Sequence, residues 1–199
     1  MVAAVVDTAD AAHFTTVTGV ITASASGTAA LAMNTDHATV DNAGIINGDV
    51  VMHGANGMVN NTGSINKNIV TTSGDNAITV DGGFVAGDII LNGSGNNTVL
   101  LTNGAEVNTV SGSAGNDTVT IQGNGNTFTA LNGDTGTSTA VFDAVTDGFH
   151  MDGVSAQIND YDQLNLRNGS LLFLDSDYVL GANRPGAQES ISMPPPCWR

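Results

Sequence analysis

The sequence predicts an all-β protein, a right-handed parallel β-helix with about 20 residues, three short strands and three turns in each coil. Three observations predict this fold. Short apolar runs end at Asn-Gly or Asp-Gly corners; the corner glycines recur about every twenty residues; and the chain is rich in small β-branched residues. The glycines in register are Gly44, Gly63, Gly83, Gly104 and Gly123.

The amino-acid composition limits the possible fold classes and the possible kinds of partner. Hydrophobic residues make up 41% of the chain, which is too many for a solvated disordered polymer. Charged residues make up only 12%, and good helix formers such as Lys, Glu, Gln and Arg are scarce. The formal net charge of −15 repels phosphate backbones, so we expect no nucleic-acid partner.

The sequence also bears on export. With one cysteine, Cys197, the chain has no intramolecular disulfide. No apolar run approaches the ~20 residues of a membrane helix, so we expect no membrane insertion by this chain. The N-terminus lacks the basic segment of a signal peptide. We therefore expect either a fragment of a longer precursor or export handled elsewhere.

Each coil repeats one plan of three runs and three corners. The first run ends at an Asn/Asp-Gly corner, a second short run follows, and the third run ends at the longest Gly-rich corner. Stacked coils lie about 4.8 Å apart, so the inward positions form ladders of Val, Ile and Leu. Asn tolerates left-handed backbone and can bond neighbours above and below, and Gly adopts positive φ freely. The predicted corner residues are Asn42, Gly44, Asn61, Gly63, Asp81, Gly83, Asn103 and Gly104.

The repeat sets the predicted boundaries. Residues 1–16 form an irregular lead-in, residues 17–180 the β-helix, and residues 181–199 an irregular, disordered tail. Residues 18–22 lie about twenty residues before residues 39–40 and are assigned to a preceding coil. From about residue 139 the coils become longer and more aromatic. We interpret them as closing coils, because an end coil must shield an otherwise open core.

Three motifs carry a family resemblance. They are Gly115-Asn-Asp-Thr-Val-Thr-Ile121, the segment Gln157-Ile-Asn-Asp-Tyr-Asp-Gln-Leu-Asn-Leu, and an Asn-x-Gly-x-Ile-x-Gly cadence in residues 42–51 that recurs, with small changes, in residues 61–70. Together with the Val141-Phe-Asp143 run between the first two, they resemble the C-terminal part of the passenger region of bacterial autotransporters, the type V secreted proteins. The resemblance covers about residues 38–180.

That resemblance implies a rigid β-helical stalk that crosses the outer membrane through a β-barrel. A chain of 199 residues has no room for the C-terminal barrel as well. The resemblance therefore predicts a non-catalytic stalk or adhesin-like segment, displayed on the cell surface or secreted. Its expected partners are host surfaces or other bacterial cells, contacted through a face of the solenoid.

One motif raises an alternative. Residues 112–120 resemble the calcium-binding nonapeptide G-G-x-G-x-D-x-U-x, which would place Ca²⁺ at Asp117 with Gly112 and Gly115. The equivalent corners lie about twenty residues away and lack a matching Asp, so a plain glycine corner is the default. We expect no other cofactor, and a calcium-binding RTX-like module remains the alternative.

Catalytic patterns are weak. The four histidines are not paired at metal-ligand spacing. Carboxylates could share corner edges as Asp41 with Asp81 and Asp49 with Asp88, but each pair would be two coils, roughly 10 Å, apart. Glycoside hydrolysis needs two facing carboxylates. We therefore expect no enzyme, with a carbohydrate-active β-helix as the weaker alternative.

Overall fold

The computed structural model describes residues 5–7, 14–23, 29–151, 157–174, 178–180 and 189–191. Within these residues the chain is all-β, and its parallel sheets stack as a solenoid of about 7 turns with about 21 residues per turn. The prediction of a parallel β-helix with three short strands per coil is therefore confirmed. Among the described residues, no helix is long and apolar enough to cross a membrane.

The first and second sheets run the length of the solenoid with eight strands each. The first sheet contains β1 (Val5–Asp7), β4 (Ala29–Met33), β7 (Asp49–Met52), β10 (Ile69–Thr71), β13 (Ile89–Leu91), β16 (Thr109–Ser111), β18 (Ala130–Asn132) and β21 (Gln157–Asn159). The second sheet contains β2 (Phe14–Val17), β5 (Thr39–Asn42), β8 (Met58–Asn61), β11 (Ala77–Asp81), β14 (Thr98–Thr102), β17 (Thr118–Gln122), β19 (Thr139–Asp143) and β22 (Gln163–Arg167).

A third sheet and two strand pairs complete the described structure. The third sheet contains β3 (Val20–Thr22), β6 (Ile45–Asn47), β9 (Ser64–Ile65), β12 (Phe84–Val85) and β15 (Glu106–Val107). Strand β20 (Phe149–Met151) pairs in parallel with β23 (Leu172–Leu174), and β24 (Tyr178–Leu180) pairs antiparallel with β25 (Glu189–Ile191).

The core consists of columns of apolar side chains that run along the stack. In the second sheet one inward column pairs Val40, Val59, Ile78, Val99 and Val119 in successive turns, and all five side chains are buried. The residue numbers advance by 19, 19, 21 and 20 along this column. Full burial of each aliphatic side chain contributes about 1.5–3 kcal/mol. The sequence period is thus the length of one turn of a continuous core.

The first turn differs from its predicted register. Val20–Thr22 pairs with Ile45–Asn47, so residues 18–22 hold the second strand position of a turn. Their alignment with residues 39–40 was therefore wrong. The partner of Thr39–Asn42 is Phe14–Val17, which lies mostly in the predicted lead-in.

The described strands also extend past the predicted ends of the β-helix. Val5–Asp7 pairs with Leu31–Met33. At the other end, Glu189–Ile191 pairs with Tyr178–Leu180 inside the predicted tail. The remaining residues of the lead-in up to residue 13, the rest of the tail and Cys197 lie outside the described residues.

Aromatic side chains mark the last turns. Phe149 stacks on Phe128 with ring centroids 4.8 Å apart, and its centroid lies 5.4 Å from that of Phe142. The turn that joins Ala140 to its partner Leu164 contains more residues than the regular turns before it. The three phenylalanine rings therefore pack together in these last turns.

Candidate functional site

The predicted corners contain two kinds of glycine. A Cβ atom on Gly44 would collide with the carbonyl oxygen of Gly19, and one on Gly63 with that of Gly44. On Gly83 it would lie 2.5 Å from the carbonyl oxygen of Asn61. These three glycines allow close stacking of successive turns, whereas Gly104 adopts a φ of +81° and a Cβ there would lie an ordinary 3.9 Å from the Gly125 carbonyl oxygen. Gly104, and Gly123 with a φ of +70°, match the conformational reason that was predicted.

The corner asparagines also divide into two kinds. Asn103 adopts a φ of 55°, as predicted, and donates from Nδ2 to Asp81 Oδ1 at 2.5 Å. Asn42 and Asn61 instead are the buried last residues of their strands and keep negative φ. Asn42 Nδ2 donates to Asn61 Oδ1 at 2.7 Å, and Asn61 Nδ2 donates to the carbonyl of Phe84 at 3.1 Å. They link turns through side chains rather than by left-handed backbone.

A buried polar column runs beside the second sheet. Asn76 Nδ2 donates to Asn97 Oδ1 at 3.0 Å, and Asn97 Nδ2 donates to Asp117 Oδ1 at 2.9 Å. The backbone N–H groups of Asn76 and Asn97 donate to the same two oxygens. In the next turn lies Ser138, which is also buried. Each residue directly precedes a strand, so the column holds the entry corner of successive turns in register.

Asp117, the centre of the predicted calcium corner, is part of the buried polar column. Its side chain is 1% exposed, and its carboxylate accepts four hydrogen bonds, two from Asn97 and two from the N–H and Oγ of Ser113. A carboxylate has about four acceptor positions, so these protein donors match its hydrogen-bonding capacity. Gly115 stacks against Gly95, where a Cβ would collide with the Gly95 carbonyl. A Cβ on Gly112 would lie 3.2 Å from Asp117 Oδ2, so Gly112 leaves room for the carboxylate.

Other aspartates also pair with asparagines of adjacent turns. Asn68 donates from both its backbone N and Nδ2 to Asp49 Oδ1 at 3.0 Å, and its own Oδ1 accepts the N–H of Asp88 at 2.9 Å. Asp49 and Asp88 therefore share a column with Asn68 between them, as predicted. Among the described residues, six aspartates accept a hydrogen bond from an asparagine Nδ2; they are Asp41, Asp49, Asp81, Asp88, Asp117 and Asp143.

The other predicted acid pair does not form. Asp41 pairs with Asn60, and Asn60 pairs with Thr79, whereas Asp81 lies two residues further along its strand. Asp41 and Asp81 therefore belong to different columns, and the prediction that they share an edge was wrong. In the described part of the chain, no group of three or more His, Cys, Asp and Glu side chains is placed to hold a metal ion.

An open groove lies where the second sheet turns toward the third, near the N-terminal end of the stack. Its volume is about 280 Å³. The lining residues are Thr16, Asp41, Asn42, Ala43, Asn60 and Thr62. Thr16, Asp41 and Asn60 are register partners in three successive turns, so the groove follows the solenoid axis.

Asn60 Nδ2 donates to Asp41 Oδ1 at 2.6 Å inside this groove. The floor is fixed by Asn42, whose side chain is buried and bonded to the next turn. Sequence reasoning considered Asp41 only as half of an acid pair and did not predict the groove. The pairing of Asp41 with Asn60 could have been predicted from the repeat, because the two residues occupy equivalent positions in neighbouring turns.

Comparison of the chain with known protein families, with curated proteins and with solved structures finds no match.

Proposed function

We propose that the chain is a non-catalytic β-helical stalk or adhesin-like segment of an autotransporter passenger, displayed on the bacterial surface or secreted. The observation that carries the proposal is the use of the polar side chains. Six aspartates, which would otherwise be candidates for acid–base or metal chemistry, are bonded to asparagines that hold adjacent turns together. Such a stack serves as a spacer or a display surface.

The dimensions support a spacer role. About 7 turns at a rise of about 4.8 Å give a rod roughly 34 Å long. Because each turn contacts only its neighbours, stability and length both grow with the number of turns. The motif order of residues 115–170 supports assignment to an autotransporter passenger, whose partners would be host surfaces or other bacterial cells.

The proposal is tested by display. The chain is fused between a secretion signal and an outer-membrane translocator barrel, and its surface exposure is measured with antibody and added protease. We expect the chain to reach the surface and to resist protease as a folded rod. Retention inside the cell, or complete digestion at the surface, would contradict the proposal.

A deletion of one turn tests the stalk directly. Removing residues 77–97 joins Asn76 to Thr98, the register partner of Ala77, and brings Asn76 next to Asp117 in the buried column. We expect normal display and a rod about 5 Å shorter by small-angle X-ray scattering of the purified chain. The control removes residues 77–86, which leaves half a turn, breaks the register and should abolish protease resistance.

A further inference from the structure

We propose that the groove beside Asp41, together with the apolar side chains next to it, binds a neutral oligosaccharide. This inference rests on the proposed adhesin-like function and names the class of ligand. The groove supplies half-buried hydrogen-bonding groups and a fixed floor, and an exposed aromatic ring lies beside it on the same strand; a sugar requires all three features. A sugar ring presents hydroxyl groups at its rim and C–H groups on its faces.

The polar half of the site is an oriented pair of acceptors. Asp41 Oδ1 accepts the Asn60 amide at 2.6 Å, which fixes both side chains. Among the described residues, Asp41 Oδ2 and Asn60 Oδ1 then have no hydrogen-bond partner. Carboxylate and amide oxygens one turn apart can each accept a bond from neighbouring hydroxyl groups. Thr62 donates to the Asn42 carbonyl at 3.3 Å, so its hydroxyl oxygen is held ready to accept another bond.

The apolar half lies in the adjacent column of the same face. Phe14 is two residues before Thr16 on β2, so both side chains point outward, roughly 7 Å apart along the strand. Phe14 is 63% exposed, and Met58 in the same column is 43% exposed. Thr39 lies between them. An exposed aromatic ring beside fixed polar groups gives a sugar ring an apolar surface to pack on.

Charge selects the kind of sugar. The net charge of −15 and the carboxylate in the groove repel sulfated and uronic-acid sugars. Neutral hydroxyl groups carry no such penalty and donate well to a carboxylate. The ligand is therefore a neutral oligosaccharide, and an acidic polysaccharide is disfavoured.

The chain contains a matched comparison. Asp81 accepts a hydrogen bond from Asn103 of the next turn, as Asp41 does from Asn60. Phe84 is 40% exposed, but it lies on the third sheet, beyond the corner from Asp81. This second pair has the same chemical groups, but its aromatic ring and its carboxylate lie on different sheets.

The test is titration of the ¹⁵N-labelled chain, followed by NMR. The probes are neutral hexasaccharides of glucose (β1,4- and α1,4-linked), mannose, galactose and N-acetylglucosamine, with a heparin hexasaccharide as the acidic probe. We expect at least one neutral probe to shift the amide signals of residues 41–43 and 60–62. Heparin should shift none of them, and the signals of Asp81 and Asn103 should not move.

Substitutions then assign the contacts. Asp41→Ala and Phe14→Ala should each weaken binding of that probe by about tenfold or more. Asp81→Ala and Phe84→Ala should leave it unchanged. Because the Phe14 side chain is exposed, its removal does not disturb the core, and unchanged circular dichroism verifies folding.

The proposal is overturned if no neutral probe shifts the groove signals, if heparin binds there more tightly, or if Asp41→Ala binds as well as Asp81→Ala. Surface display and protease resistance do not depend on the groove. If the Asp41→Ala chain is displayed normally and the wild-type chain binds no neutral probe, the oligosaccharide site is rejected and the stalk proposal stands. Failure of display would reject the stalk.

Discussion

Replacement of Asn97 by alanine tests whether the buried polar column stabilises the stack. The Asn97 side chain accepts bonds from the backbone N and Nδ2 of Asn76 and donates to Asp117 Oδ1 and the Gly95 carbonyl, all at 2.9–3.0 Å. Asn97→Ala leaves the buried Asn76 N–H without that acceptor, which costs about 1–3 kcal/mol of stability. It also removes one bond to a charged group, about 1.5–3 kcal/mol. We expect a loss of about 3–5 kcal/mol in the free energy of unfolding.

The measurement is urea denaturation followed by circular dichroism, with a thermal melt beside it. At about 2–4 °C per kcal/mol for a chain of this length, the midpoint Tm should fall by roughly 6–20 °C. The control is Asn96→Ala. Asn96 is exposed, and its Oδ1 accepts the N–H of Asn116 at 2.9 Å, where water can replace it. We expect this variant to lose less than about 1 kcal/mol.

Equal losses in the two variants would refute the reasoning. They would mean that the buried Asn97 side chain contributes no more to the free energy of unfolding than the exposed Asn96 side chain. The stability of the stack would then depend on its aliphatic core alone. A loss below about 1 kcal/mol for Asn97→Ala would refute it as well.

Three further predictions concern the corners. Gly63→Ala should lower the free energy of unfolding by about 1–3 kcal/mol in a urea titration, because the new Cβ meets the Gly44 carbonyl. The control is Gly19→Ala, where a Cβ has open space and the free energy of unfolding should not change. Similar losses in both variants would contradict the close-stacking argument. Asn68→Asp should lower the free energy of unfolding at low ionic strength, and high salt should restore part of it, because the substitution places three carboxylates in one column. The control is Asn66→Asp, whose neighbour in the preceding turn is Asn47. An equal salt response of both variants would contradict the repulsion argument. A calcium chelator should leave the Tm unchanged, since protein donors already satisfy the Asp117 carboxylate. A lower Tm in chelator would support calcium binding at Asp117.

The regular turns were predictable because one simple rule operates there. Val40, Val59 and Ile78 alternate with polar neighbours and recur with the glycine corners, so both the period and the inward face can be read directly. The first turn was not, because its step from Val20–Thr22 to Ile45–Asn47 is longer than the regular period. Gly19, which lies against Gly44 in the stack, therefore falls outside the twenty-residue spacing. Phe14–Val17 alternates correctly, but only its pairing with Thr39–Asn42 reveals its place.

Asp117 shows why the chemistry was harder to predict than the fold. The nonapeptide-like motif describes only residues next to it in sequence. Its partner Asn97 lies in the equivalent corner of the preceding turn, one full period earlier in the chain. Local sequence indicates an oxygen ligand for calcium, and the stacked structure adds an amide donor that the motif does not contain. The hydrogen bonds of Asp117 therefore depend on the residue one period away.

The pairing of aspartate with asparagine explains how so acidic a chain can stack. Two carboxylates one turn apart, at about 4.8 Å, would repel by about 1 kcal/mol in water and about 3–4 kcal/mol at an effective dielectric constant of about 20. An asparagine in the next turn replaces that repulsion with a hydrogen bond, as between Asp49, Asn68 and Asp88. The asparagines in this column are therefore part of what makes the net charge of −15 compatible with the fold. The same logic makes Asp41 and Asn60 informative, because their bond leaves one oxygen on each free at the surface of a groove.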